Sequence, residues 1–138
     1  MRGLTVLMFC FLASSLGCSD SGISRQAISG TVVLDGQPLK EGSILLTPIT
    51  PKGMTAGCKI EDGRYELNGD TGPTPGEYRV EISAWKSSDK PQLDEATGQM
   101  VADVVSIIPA RYNSKSELTA KIESGATGSI DFDLKSGR

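Results

Sequence analysis

One run limits the fold of this chain more than any other: Gly76-Glu77-Tyr78-Arg79-Val80-Glu81-Ile82-Ser83-Ala84-Trp85. Tyr78, Val80, Ile82 and Ala84 fall on one side of it, and Glu77, Arg79, Glu81 and Ser83 on the other. Alternation with period two, carried by β-branched and aromatic residues, is the pattern of a strand with one face in a core and one in water. On a helix the same apolar residues would be scattered around the circumference. The run predicts the central strand of a sheet.

The rest of the mature chain reads as short strands between turn signals. Ala27 to Leu34 is a first strand with Ile28, Val32 and Leu34 inward, closed by the Asp35-Gly36 turn, where both residues tolerate positive φ. Ser43 to Thr47 is a second, ended by Pro48, which cannot donate to a ladder and marks a sheet edge or an exit. Thr55 to Ile60 and Tyr65 to Leu67 follow, separated by the turn Glu61-Asp62-Gly63-Arg64. Beyond Trp85, residues 86–101 are polar and irregular, with room for a short helical turn between Asp89 and Thr97. A loop of this length in a small domain is functional or mobile. Val104 to Ile108 is apolar, Ile108 to Tyr112 reads as a docking segment, Leu118 to Ile122 alternates as a strand, and Ser129 to Leu134 ends the domain with Ile130, Phe132 and Leu134 inward. Seven short strands with turns every eight to twelve residues predict an all-β, antiparallel sandwich.

A length of 138 residues suits one domain, and the 16 glycines suit short strands joined by tight turns. The formal charge of −3 argues against electrostatic binding to nucleic acid or anionic lipid head groups. The chain contains no histidine, which removes Ser/His/Asp and Cys/His nucleophile arrangements and the commonest zinc ligand. No serine or lysine sits in a G-x-S-x-G or S-x-x-K setting, and Gly63 to Gly76 lacks the lysine and helix of a phosphate loop. No catalytic residue, metal or cofactor is expected.

The N-terminus has the marks of an export signal: Arg2, the apolar run Leu4 to Leu12, then small residues Ala13 to Ser15. The run is too short to span a bilayer. Ser15-Leu16-Gly17-Cys18 resembles the lipobox of bacterial lipoproteins, with Gly17 and Cys18 at its two most constrained positions. It departs from the family pattern at Ser15 and Leu16, where a Leu and a small residue are usual. The resemblance implies cleavage between Gly17 and Cys18 and multiple acylation of Cys18, and more than one acyl chain is what durable membrane anchoring requires. The domain plan is then a signal peptide over 1–17, a flexible tether over 18–26, the β domain over 27–135 and a tail over 136–138. Ser19 to Arg25 would reach at most roughly 25 Å from the membrane. The alternative is a general secretory cut that leaves Cys18 unmodified and able to pair with Cys58; otherwise Cys58, on the side of Ala56 and Ile60, is a small buried hydrophobe.

Gly30-Thr31-Val32, Asp35-Gly36-Gln37-Pro38-Leu39, Gly42-Ser43-Ile44, Glu61-Asp62-Gly63-Arg64-Tyr65 and Pro75-Gly76-Glu77-Tyr78-Arg79-Val80 resemble carboxypeptidase regulatory-like domains. These belong to the transthyretin-like (prealbumin-like) β-sandwiches. Ile108-Pro109-Ala110-Arg111-Tyr112-Asn113 and Asp131-Phe132-Asp133-Leu134 further resemble small exported bacterial lipoproteins made of this domain alone. The resemblance implies an Ig-like or transthyretin-like sandwich, here of seven strands, and a non-catalytic accessory module at the cell surface; the function expected is a binding or assembly module that holds a protein or polysaccharide partner near the membrane. A purely structural envelope component and a secreted, non-lipidated sandwich are the alternatives.

Three residues stand out as candidates for partner binding. Trp85 is the only tryptophan and falls on the polar side of its strand. Exposed, it could stack on a sugar ring or a partner's aliphatic surface; the expectation taken is that it packs beneath the segment 86–105. Arg111 and Tyr112 could share a recognition surface with it, against a default role as a structural bridge. Asp131 and Asp133, with Asp62 or Asp70, could ligate calcium, but no loop carries the spaced ligands of a calcium motif, and a solvated strand face is expected. A carboxylate pair for glycoside hydrolysis would need a cleft that nothing in the sequence indicates.

Overall fold

The chain was analysed as a computed structural model, which describes residues 24–125 and 128–137. The expected signal peptide, the cut between Gly17 and Cys18 and the lipid site lie outside the described residues. Along the chain come β1 (Ile28–Leu34), β2 (Gln37–Pro38), β3 (Glu41–Pro48), β4 (Ala56–Glu61), β5 (Arg64–Leu67) and β6 (Gly76–Ser83). Four short strands follow: β7 (Trp85–Ser87), β8 (Gln92–Leu93), β9 (Met100–Val101) and β10 (Val104–Ser106). After a single 3-10 turn at Ala110–Tyr112, β11 (Thr119–Ile122) and β12 (Phe132–Leu134) complete the fold.

Eight strands form one sheet in the order β11-β6-β3-β4-β5-β1-β12, with β2 beside β1. The sheet curls so that its inner side chains meet in one core, with Val32, Ile44, Leu46, Ile60, Leu67, Tyr78, Val80, Ile82 and Leu134 almost completely buried. Tyr78, Val80, Ile82 and Ala84 all point inward, as their alternation predicts. Tyr65 and Tyr78 are core residues; the Tyr78 hydroxyl hydrogen-bonds Thr74 at 2.9 Å, and the Tyr65 hydroxyl donates to the Ile130 carbonyl at 2.7 Å. Burial pushes the Tyr65 phenol well above its ordinary pKa. Cys58 is half-buried against the core, and burial likewise raises its thiol. Asp35-Gly36 and Asp62-Gly63 both form two-residue hairpin turns with positive φ at each position, the geometry that matches the twist of the flanking strands.

Three expectations are corrected. The strand β6 is not central but next to one edge, between β11 and β3. The fold is not wholly antiparallel: β12 runs parallel to β1, pairing Val32 with Phe132 and Leu34 with Leu134. Segment 86–101 is not an irregular loop; it contributes to two small two-stranded ribbons, β7 with β10 and β8 with β9. Its only helical feature is a single closed turn, where Gly98 donates to the Asp94 carbonyl at 2.7 Å.

The parallel junction is locked by Asp131. Its carboxylate accepts from the Thr31 backbone N–H at 2.7 Å, the Thr31 hydroxyl at 2.9 Å and the Ser129 hydroxyl at 3.0 Å. These donors, the Thr31 N–H foremost, hold its pKa below the ordinary 3.8. A carboxylate lowered in the folded state stabilises fully above its unfolded pKa and loses that contribution as pH falls through the folded value. The stability lost by Asp131→Asn is therefore expected to be largest at neutral pH and to shrink below about pH 4, read as the urea midpoint at each pH. A difference that stays constant down to strongly acid pH would show that the charge of Asp131 contributes nothing.

The strand directions give the domain two distinct ends. The chain enters at Arg25, whose guanidinium donates to the Gly72 carbonyl at 2.7 Å, while the Gln26 N–H donates to the Pro73 carbonyl at 2.8 Å. The start of β6, the loop 68–75 and the end of β11 lie at this end, where Gly76 pairs with Ile122 and Ile28 with Leu67. The end of β6, the start of β3 and the β4–β5 turn lie at the other, where Ser83 pairs with Ser43 and Glu41 with Glu61. Eight strand residues separate the two ends along β6, a span of about 26 Å.

Candidate functional site

At the end far from the chain entry, the polypeptide leaves the sheet and folds on itself. After Ser83, the last residue of β6, β7 leaves β3 and pairs with β10, matching Trp85 to Ser106, Lys86 to Val105 and Ser87 to Val104. The ribbon continues through Ser88, whose N–H donates to the Asp103 carbonyl at 2.6 Å, to the pair Leu93–Met100. Its tip is closed by Asp94, which accepts from the N–H groups of Ala96 at 2.8 Å and Thr97 at 3.2 Å, with Gly98 at φ 68°. Those two N–H groups hold the Asp94 carboxyl below its ordinary pKa. At the base, Ile107 N–H donates to the Ala84 carbonyl at 3.0 Å, and Ile108 is buried in the core, so both strands of the arm spring from fixed points.

The arm holds most of the large apolar side chains that the described residues expose: Trp85, Leu93, Met100, Val101, Val104 and Val105. Trp85 is 58% exposed, so the expectation that it packs beneath segment 86–105 is corrected. The reason is pairing: β10 satisfies the hydrogen bonds of β7 edge to edge, so the segment lies beside Trp85 rather than over it. Cross-strand pairing puts Val104, opposite Ser87, on the same face as Trp85, and sets Leu93 against Met100. Val105 and Val101 fall on the opposite faces of their ribbons, so the exposed apolar residues are gathered on one projecting arm and spread over both of its faces.

Trp85 also borders a groove on the outer face of the sheet, which it lines together with Lys40, Glu41, Ser43, Lys59, Glu61 and Asp62. The register that pairs Ser43 with Ser83 sets Trp85 level with Glu41, and Glu41 in turn pairs directly with Glu61. Two carboxylates directly opposed across an antiparallel pair repel, which costs stability. Among the described residues the ion pairs are Arg79–Glu81, Lys121–Glu123 and Lys135–Asp133, so none of the charged groups of this groove is neutralised by a salt bridge.

Arg111 and Tyr112 are placed elsewhere. The Arg111 guanidinium donates to the carbonyls of Lys135 and Gly137 and lies 4.8 Å from the centre of the Tyr112 ring. The Tyr112 hydroxyl accepts from the Lys135 N–H at 3.3 Å, and its hydrogen bond with Arg111 lowers its pKa. The pair clasps the segment that follows β12 and does not line the Trp85 groove. The aspartates weighed for calcium do not converge. Asp131 is held by Thr31 and Ser129, Asp133 pairs with Lys135 at 2.9 Å, Asp62 sits at the arm end and Asp70 at the entry end. Among the described residues no three acidic, cysteine or histidine side chains gather as a metal site. Sequence reasoning passed over the groove residues Glu41, Lys59 and Glu61; Lys59 has the outward parity of its strand, but only the β3–β4 register brings Glu41, at the start of β3, beside Glu61, at the end of β4.

Among the described residues no helix is long and apolar enough to cross a membrane. Compared with protein-family models, curated proteins and solved structures, the chain matches none.

Proposed function

We propose that this protein is a non-catalytic envelope lipoprotein, anchored through acylated Cys18, that uses its arm end as a binding or assembly module for a protein or polysaccharide partner. We also read the curled sheet, its two-residue strand β2 set aside, as a transthyretin-like, seven-stranded sandwich of the carboxypeptidase regulatory-like type. The halves β11-β6-β3-β4 and β5-β1-β12 share the single register pair Glu61–Arg64 between β4 and β5, which favours two layers folded over one core. The observation that carries the function is the exposure of Trp85 at the root of an apolar arm. Exposed apolar side chains are common singly, but their concentration on one projecting arm, the one tryptophan among them, favours binding over a packing role. The tether enters at the opposite end, so the arm stands away from the membrane by about the length of the sheet.

Two measurements test the reading. The N-terminal peptide of the mature protein from membranes is expected to begin at Cys18 and to carry added acyl mass; an unmodified N-terminus in the soluble fraction sinks the lipoprotein. A photo-crosslinking residue at Val104 is expected to yield adducts in intact cells, and one at Lys52, near the chain entry, to yield none. Equal labelling from both positions would remove the assignment of the arm end as the recognition end.

A further inference from the structure

We infer that the Trp85 groove is a subsite for an uncharged polysaccharide, with the indole as stacking platform and Glu41 and Glu61 as hydroxyl acceptors. This rests on the binding-module reading above and names the class of partner. The indole face is large, flat and apolar, and more than half of Trp85 is open to solvent. A pyranose whose hydroxyls are equatorial presents a matching flat face of C–H groups, and its rim of hydroxyls must be hydrogen-bonded as water is displaced. Glu41 and Glu61 stand side by side, level with Trp85, as planar acceptors that can each take two hydroxyl donors. Lys59 lies on the same strand as Glu61 and supplies donors to ring or glycosidic oxygens.

Charge and shape narrow the ligand. The groove holds two lysines, Lys40 and Lys59, and three carboxylates, Glu41, Glu61 and Asp62, a balance of 2 − 3 = −1. An anionic glycan would meet repulsion from the opposed glutamates, whereas an uncharged one offers them hydroxyl donors in exchange for water. A second open depression, lined by Thr31, Arg64, Glu66 and Ser129, shares Lys59 and Glu61 with the first. The two form one polar track across the outer face, from Trp85 over the ends of β4 and β5 to β1. A track open along its length suits a polymer passing over the domain better than a single sugar enclosed in a pocket.

Because the chain has one tryptophan, its intrinsic fluorescence reports on this subsite alone. The mature protein in detergent would be titrated with N-acetylglucosamine hexamer, glucose hexamer and, as anionic control, heparin. The expected result is a saturable change in Trp85 emission with at least one uncharged hexamer and none with heparin. By calorimetry, Trp85→Ala is expected to weaken that binding by about 30-fold or more, and Trp85→Tyr to restore part of it. Glu41→Gln is expected to weaken binding several-fold while leaving the melting temperature equal to or above that of the wild type, because the opposed charge is removed. No saturable response to any uncharged hexamer, a preference for heparin, or unaltered binding by a folded Trp85→Ala protein would overturn the assignment. If the sugars fail while Val104 still crosslinks to a protein in cells, the saccharide subsite falls and the binding module stands. If both fail, the module falls with it.

Discussion

Tyr78→Ala is expected to cost about 3–5 kcal/mol of folding stability and to lower the melting temperature by roughly 15 °C or more. Tyr78 is fully buried, lies between Pro48 of β3 and Ala120 of β11, and heads the inward row of β6. Removing the ring leaves a cavity at the meeting point of three strands, which a curled sheet cannot collapse without separating them. Tyr78→Phe divides the effect: it keeps the ring and removes only the hydrogen bonds to Thr74, itself buried, at a cost of about 1–3 kcal/mol. Denaturant unfolding of both variants checks this. An alanine variant within about 1 kcal/mol of the wild type would mean that Tyr78 is not a core anchor. Since single domains have margins of only about 5–15 kcal/mol, the alanine variant should be partly unfolded at moderate temperature.

Gly30→Ala is expected to be as damaging, although it adds a single methyl group. A Cβ at this position would sit 1.9 Å from the Ile130 carbonyl oxygen, 2.7 Å from its carbon and 2.9 Å from the Tyr65 ring. Backbone cannot swing aside as a side chain can. The segment before β12 would have to part from β1, breaking the Ile130-to-Ser29 backbone bond of 2.9 Å and the Tyr65 bond to Ile130. A loss of about 3 kcal/mol or more follows, measured by the same unfolding experiment. Gly36→Ala is the control: its φ of 80° strains any side chain, but nothing lies within 4 Å, so about 1–2 kcal/mol is expected. If the two variants cost the same, the close approach at Gly30 is not what selects glycine.

Much of the fold was legible because it depends on local pattern. The alternation of residues 77–84, the inward sets of the first and last strands and the two Asp-Gly turns are set by side-chain period and by φ, which neighbouring residues decide. The pairing of β12 with β1 was not legible. It joins residues about a hundred positions apart, and no local pattern distinguishes a parallel from an antiparallel neighbour when both present the same apolar face. The need for glycine at position 30 belongs to the same closure, since it is the arriving Ile130 carbonyl that excludes a side chain.

The candidate site divides along the same line. The sequence by itself determined that Trp85 follows the inward row of β6 on the opposite, polar parity, and that Lys59 lies on the outward parity of its strand; Glu41 and Glu61 read as loop and turn residues until the structure extended β3 and β4 to include them. Only the tertiary structure decided that the chain after Trp85 pairs with its own return strand instead of covering the indole, and that β3 and β4 bring Glu41 and Glu61 level with it. Arg111 and Tyr112 do not line that groove because their partners are the backbone groups of the chain beyond β12. Parity is a property of consecutive residues, whereas exposure and juxtaposition depend on which distant strand takes up the free backbone hydrogen bonds.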